Sequence, residues 1–223
     1  MRQQAMNQDR ARDFWKTVLD GQAALCALLD ASTTDDGCEE AEQLLQTLRD
    51  AATDIDPLLI VEADPVPASD SAVLRIVIGC DNDPEGIEAV RELVAAAPAM
   101  PPRIQICAFE PPLPKEMARN LTWVNVIGTK VQAQKVCFMA EPSTAVPGTF
   151  DLTSFVPSSA VCEFDPKDIP GALVTRFILD MGIGELRLMT RVHSIGVAVT
   201  DQPPPEAVPA WDLVEIIDSA PAH

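Results

Sequence analysis

Apolar residues in the first quarter of the chain recur with the period of a helix. Between residues 14 and 29 they are spaced three or four positions apart, which predicts a helix with one buried stripe. A second stripe follows over residues 41–55, and the acids before it would complement the helix dipole. Because the turn-rich residues 32–37 separate the two stripes, we predict an antiparallel helical hairpin over residues 13–56.

The apolar pattern then changes to short runs that are typical of strands. Residues 58–62 and 73–78 flank a turn that contains proline and serine, which predicts a β-hairpin. The tripeptide Asp83-Pro84-Glu85 supplies an N-cap, a first-turn proline and a dipole-compensating acid, so a helix should begin there. A strand over residues 104–109 would complete a strand-strand-helix-strand half.

The second half of the chain repeats this order of elements without detectable sequence identity to the first. Its predicted elements are two strands, a helix and two closing strands, over residues 136–140, 150–156, 173–181, 185–189 and 192–199. Residues 121–132, between the halves, should add a strand or hairpin, and residues 211–217 a short helix after a proline run. We therefore predict that the two halves share one order of strands and helices.

Together these elements predict an α+β fold. It would contain an N-terminal helical hairpin and a mixed, largely antiparallel sheet built from the two halves, with its helices on one face. We expect a single domain over residues 1–223. Its parts would be the hairpin over 13–56, the sheet part over 57–200, and a C-terminal tail with a short helix over 201–223.

The chain is strongly acidic, with 34 Asp and Glu against 16 Lys and Arg and a formal net charge of −18. Such a field opposes the approach of phosphate backbones and anionic lipid, so we expect no nucleic acid and no membrane as partner. No apolar run approaches the roughly 18 residues of a membrane span, and the polar first dozen residues are unlike a secretory signal. These features favour a cytoplasmic protein, whose natural partner would be a basic protein.

The six cysteines are scattered along the chain, and none forms a CxxC pair. This usage is typical of free thiols in a reducing compartment. No cysteine has the spacing of a metal ligand from either histidine. We therefore predict no metal and no cofactor.

Carboxylates are concentrated in residues 35–64, which we call the acidic segment. It contains ten acids and a single base, Arg49. One interpretation is a solvated helix face, and the other is a surface that captures a cationic partner by complementary charge. In the second interpretation Trp123 could add an aromatic anchor, although a tryptophan in the core is the commoner case. The candidate partner-binding residues are Asp35, Asp36, Glu39, Glu40 and Trp123.

Residues 81–86, together with Glu92, come close to the pattern of a calcium-binding loop. The match fails because Glu85 takes the fifth position and because a strand, and not a helix, precedes the loop. A strand-to-helix turn with an acidic cap explains the same residues. We therefore interpret Asp81, Asp83, Glu85 and Glu92 as structural.

His193 is the candidate for acid–base chemistry, since the other histidine is the last residue. On a strand over residues 191–199 it shares parity with Ile195 and Val197, at the edge of an apolar face. A general base needs a nucleophile or substrate proton in reach, and the sequence names neither. A structural histidine is favoured, and no nucleophile elbow, P-loop, zinc helix or dinucleotide fingerprint is present. We predict no catalytic residue and favour a protein that is not an enzyme.

Four short motifs resemble a family of uncharacterised bacterial proteins over roughly residues 14–218. In that family a leading FW helix, an LVxxAP helix end, an AFxPP strand end and an LDxxLGE segment follow in this order. Here they are Phe14-Trp15, Leu93-Val94 with Ala96-Ala97-Pro98, Ala108-Phe109 with Pro111-Pro112, and Leu179-Asp180 with Gly184-Glu185. The resemblance implies a small acidic bacterial protein of the kind considered as immunity proteins, which neutralise toxins. It implies no catalytic residue.

Two functional hypotheses follow. The first is a non-enzymatic protein-binding module, such as an immunity protein, whose acidic surface masks a basic toxin or another basic partner. The alternative is a small-molecule enzyme or ligand-binding protein with a pocket lined by carboxylates. A salt-sensitive complex would indicate the first, and a ligand-dependent rise in melting temperature would indicate the second.

Overall fold

The computed structural model describes residues 8–29, 35–66, 72–165 and 168–219, with the side chains of residues 35–38 outside the description. The chain has an α+β fold, as predicted, and it divides into two compact units, Met1–Glu110 and Pro111–His223. Each unit contains its own sheet and helices. That the whole chain forms a single cooperative domain stays a prediction.

The predicted helical hairpin is present in the first unit, but its first arm is broken at Gly21. A Cβ at Gly21 would lie 2.2 Å from Leu44 Cδ2, so glycine lets the second arm approach closely. The Arg10 guanidinium donates to the carbonyl oxygen of Asp54, which joins opposite ends of the two arms. The helices are α1 (Gln8–Asp20), α2 (Gln22–Ala27) and α3 (Asp35–Ile55).

The sheet of the first unit confirms the first strand-strand-helix-strand half. Its first two strands pair antiparallel, and the third returns parallel to the second after a helix. Leu74, Ile76 and Ile78 of the central strand are fully buried. The elements are β1 (Ile60–Val66), β2 (Val73–Gly79), α4 (Ile87–Ala95) and β3 (Ile104–Ala108), in the strand order β1-β2-β3.

The second unit confirms the second half except at residues 185–189, and it adds elements around it. An antiparallel pair is again followed by a strand parallel to its second member, in the strand order β8-β7-β6-β9. A separate two-stranded hairpin is made by β4 and β5. In chain order the elements are α5 (Lys115–Asn120), β4 (Val124–Val126), β5 (Thr129–Val131), β6 (Cys137–Pro142), β7 (Phe150–Val156), α6 (Ala172–Ile183), α7 (Glu185–Arg191), β8 (Val192–Val199), β9 (Val208–Pro209) and α8 (Ala210–Ser219).

Besides the break at Gly21, two features differ from the sequence prediction. Residues 185–189, predicted as a strand, belong to helix α7. Gly184 ends α6 with a positive φ of 81°, and Leu188 N then donates to the Gly184 carbonyl at 3.1 Å, so the chain resumes a helix at once. In addition, the described strands form three separate sheets and not one. Each half makes its own sheet, completed by its own parallel strand, and the β4–β5 hairpin is the third.

Candidate functional site

The acidic segment begins in the first unit, on helix α3. Asp35 and Asp36 stand in its first turn, and their side chains lie outside the described part of the chain. Glu39 and Glu40 are exposed. Arg49, the one base of the segment, donates from Nη1 to Glu42 Oε1 at 3.1 Å and from Nε to the Val61 carbonyl at 3.2 Å. The segment therefore keeps a large negative charge at the surface.

Trp123 belongs to the second unit, next to strand β4. Its side chain is 51% exposed, whereas Val124 and Val126 point into the core. The core interpretation of this tryptophan is therefore wrong, and its role as a partner anchor stays a prediction. The structure thus assigns the predicted acids to one unit and the predicted aromatic anchor to the other.

The near match to a calcium loop is a strand-to-helix turn. Asp83 Oδ1 accepts a hydrogen bond from Glu85 N at 2.9 Å, as an N-cap residue does. Asp81 and Asn82 hold the left-handed backbone conformation, with φ of 49° and 60°. The predicted acidic cap is confirmed. Within the described residues no cluster of three His, Cys, Asp or Glu side chains could hold a metal ion.

His193 is exposed on strand β8, which lies at one edge of the four-stranded sheet. The apolar side chains on the same side of the strand are partly exposed, since Ile195 is 39% exposed, and the structural role of His193 stays a prediction. Nearby, the Ser194 hydroxyl donates to Asp151 Oδ1 at 2.5 Å, and this bond is the main cause of the lowered pKa of Asp151.

The cysteines whose side chains are described are free thiols, as predicted. Burial raises the pKa of Cys107 and of Cys137, so both thiols stay protonated near neutral pH. A protonated thiol is a poor nucleophile. These two residues therefore lack the environment of a reactive cysteine.

A cavity of about 740 Å³ lies in the first unit between α1 and the C-terminal end of α4, and we call it the α1–α4 cavity. Its α1 side carries Gln8, Arg12, Trp15, Lys16, Leu19 and Asp20, and its α4 side carries Glu92, Ala95, Ala96 and Pro98. This cavity was not predicted from the sequence. The available signal was the four-residue spacing of Gln8, Arg12, Lys16 and Asp20, which aligns polar residues along one side of a helix.

The α1–α4 cavity has a fixed apolar wall and charges of both signs. Trp15 is almost fully buried, its Nε1 donates to the Leu93 carbonyl at 2.8 Å, and its ring meets Phe14 edge-on at 4.8 Å. Ala95 and Ala96 leave space opposite this wall because their side chains are short. Two of the lining residues are cationic and two are anionic, so charge alone does not select one sign of ligand.

Several large apolar side chains of the second unit are exposed, and we call Ile127, Phe164, Ile169 and Phe177 the apolar cluster. Their exposed fractions are 58%, 64%, 50% and 39%. The segments that carry them are joined by hydrogen bonds. The Cys162 thiol donates to the Val126 carbonyl at 3.5 Å, and Asp165 Oδ1 accepts from Leu173 N, at the start of α6, at 2.9 Å.

A second cavity, of about 230 Å³, lies beside Trp123 in the second unit, and we call it the Trp123 pocket. Its remaining walls come from strand β5, from the turn after β5 and from the loop after β7. They are Lys130, Gln132, Lys135, Pro157, Ser159 and Ala160.

No family model, curated protein or solved structure matches the chain. Consequently the family resemblance of the four short motifs stays a prediction. In the described part of the chain, none of the helices combines the length and the apolar character that a membrane crossing requires.

Proposed function

We propose that this protein is a non-enzymatic binding module for a basic protein partner. The proposal rests on one observation, four exposed apolar side chains on segments that hydrogen bonds join, with acids next to two of them in the sequence. Phe164 lies between Glu163 and Asp165 in the sequence, and Ile169 follows Asp168. Large exposed apolar side chains bordered by polar residues are typical of protein interfaces, whose centre is apolar and whose rim is polar.

The two parts of this surface would have different effects on binding. Phe164 and Phe177 would supply most of the affinity, because aromatic side chains that lose contact with water dominate interface energies. The carboxylates would act mainly on the rate of association and on the choice of partner, since complementary charge guides encounter and opposes acidic competitors. A basic protein with an apolar centre to its binding surface fits both parts.

The net charge of −18 extends this preference beyond the contact surface. The acidic segment, with Glu39 and Glu40 exposed on α3, adds to a field that attracts cations over about one Debye length, roughly 8 Å at physiological salt. The partner that we favour is a basic toxin, which this protein would mask as an immunity protein does. Complex formation should therefore weaken as salt rises.

A pull-down from the host lysate at low and at high salt tests this function. We expect one basic protein to be captured at low salt and released at high salt. Reversal of charge at Glu39 or at Glu40 changes the net charge by two units and should slow association, whereas the exposed Gln43→Lys exchange on the same helix changes it by one unit and should have about half that effect. Capture that is insensitive to salt, or capture of acidic proteins, would contradict the proposal.

Small-molecule binding is the second candidate, and the α1–α4 cavity favours it. Its volume of about 740 Å³ lies within the range of roughly 300–1,000 Å³ that is usual for ligand sites. A metabolite screen by thermal shift would test it, because a ligand that binds only the folded state raises the melting temperature. Ala96→Leu should narrow the cavity and reduce the shift. Ala99→Leu, also exposed but outside the cavity lining, should leave the shift unchanged.

A further inference from the structure

The charge of the Trp123 pocket is opposite to that of the chain as a whole. Its lining includes two lysines, Lys130 and Lys135, and no carboxylate, whereas the chain carries 34 acids and 16 bases. Lys115 of the same unit is neutralised by acids, because its Nζ lies 2.7 Å from Asp212 and 2.6 Å from Glu215. Within the described residues, Lys130 and Lys135 make no such ion pair.

The local fold explains why these groups meet at one place. In the β4–β5 hairpin Asn125 pairs with Lys130, and the neighbouring Val124 and Val131 pair on the buried side. Since side chains alternate across a strand, Lys130 is directed outward. Ala133 is buried in the short turn after β5, and Lys135 at the end of that turn stays exposed. Two ammonium groups are thus held beside one half-exposed indole.

Two neutral polar residues complete the lining. The Gln132 side chain offers an amide, and Ser159, exposed in the turn after β7, offers a hydroxyl. Both can donate hydrogen bonds to an anionic oxygen. The Trp123 indole presents an aromatic surface on which a flat group can stack. The pocket therefore combines positive charge, neutral donors and one aromatic wall.

We propose that the Trp123 pocket binds a small anion that carries a single planar ring. A carboxylate or phosphate group of the ligand would contact Lys130 and Lys135, and its ring would stack on Trp123. The volume of about 230 Å³ lies below the usual range for drug-sized ligands, so one ring with one anionic group is the appropriate size. This site does not depend on the proposed protein partner, since the apolar cluster and the Trp123 pocket share no residue.

Titration with benzoate, followed by the indole N–H signals in a nitrogen–proton NMR spectrum, tests this site. The Trp123 signal, identified by its absence from the spectrum of Trp123→Phe, should move and saturate, whereas the signal of the buried Trp211 should stay in place. Phenyl phosphate should also bind. Benzamide, which keeps the ring without the charge, and inorganic phosphate, which keeps the charge without the ring, should both bind at least about tenfold more weakly.

Matched variants distinguish a site from general attraction to the protein. Lys130→Gln and Lys135→Gln should each weaken benzoate binding roughly tenfold, the effect of losing one charge-assisted hydrogen bond. Arg91→Gln removes the same charge from an exposed position on α4, outside the lining of both cavities, and should leave the affinity unchanged. Equal binding of benzamide and benzoate, equal effects of the two lysine variants and Arg91→Gln, or a Trp123 signal that does not saturate would each overturn the proposal.

Discussion

The indole Nε1 of Trp15 donates a hydrogen bond of 2.8 Å to the carbonyl oxygen of Leu93, joining residues that lie 78 positions apart in the chain. The bond ties α1 to the end of α4 and holds the indole ring as one wall of the α1–α4 cavity. Leu93 O also accepts from Ala96 N at 3.2 Å. The Leu93 carbonyl therefore accepts two hydrogen bonds, one from the end of its own helix and one from Trp15.

Replacement of Trp15 by Phe should destabilise the protein by about 1–3 kcal/mol, because it removes this bond and leaves space in a close-packed core. Chemical denaturation would measure the change in the free energy of unfolding. Trp123→Phe makes the same exchange at a half-exposed position and should change that free energy by less than about 0.5 kcal/mol. Similar effects of the two variants would contradict the buried position of Trp15.

Thr175 and Ser154 form a buried hydroxyl pair between α6 and β7, in which Thr175 Oγ1 donates to Ser154 Oγ at 2.8 Å. Thr175→Val should cost about 1–3 kcal/mol, because it removes the hydroxyl partner of a buried polar group. The double variant with Ser154→Ala should recover part of that loss. A double-mutant cycle would detect the coupling, and strictly additive effects would show that the two hydroxyls do not interact.

Gly182, inside α6, packs directly against Ala210 at the start of α8. A Cβ at this position would lie 2.3 Å from Ala210 Cβ and 2.8 Å from its backbone carbonyl carbon, so Gly182→Ala should push the helices apart and cost about 1–3 kcal/mol. Gly196 offers a matched control on β8, where the nearest atom to a new Cβ is Leu152 O at 3.8 Å. Thermal denaturation should show a large fall in melting temperature for the first variant and little change for Gly196→Ala.

Asp218 of α8 accepts two hydrogen bonds from the Arg187 guanidinium, at 2.9 and 2.8 Å. These bonds lower the pKa of Asp218 in the folded protein. A lowered pKa stabilises the fold above the ordinary value for Asp, about 3.9, and this contribution is lost as pH falls through the folded pKa. Because the carboxylate is 49% exposed, solvent screening limits its effect to about 0.5–1 kcal/mol.

Unfolding measured between about pH 6 and pH 2 would test this ion pair. The difference in stability between the native protein and Asp218→Asn should be present at pH 6 and should disappear at the acid end. Asp201→Asn removes an exposed carboxylate that bonds only Ser158 among the described residues, so it controls for the change in net charge. A difference that grows as the solution becomes more acidic would have the wrong sign.

Periodicity was sufficient to predict most helices and strands, since α3, β2 and α6 have strong apolar patterns of the expected period. It failed at α7 because Leu186 and Leu188 alternate as they would in a strand. The feature that decides this segment is the backbone of Gly184. The apolar period also failed to predict the break at Gly21, which depends on the close approach of Leu44 from another helix. Local pattern contains no information about such distant neighbours.

The candidate sites were harder to predict than the fold. The α1–α4 cavity forms where the short side chains of Ala95 and Ala96 meet α1. The sequence does not indicate that α1 is the helix that packs against these residues. The exposure of Trp123 could not be read from β4, because a strand of three residues is too short for its alternation to decide which side is buried. Charge, in contrast, is additive along the chain, so the acidic character of the surface was predictable.

The affinity of the captured partner for variants of the apolar cluster tests the proposed function most directly. Isothermal titration should give at least about a tenfold weaker Kd for Phe164→Ala, because truncation of a central aromatic residue typically costs 1–2 kcal/mol or more. Met117→Ala, which truncates a side chain that is also half exposed but lies on α5, should bind as the native protein does. Unchanged affinity for Phe164→Ala, or an equal loss for Met117→Ala, would contradict binding through the apolar cluster.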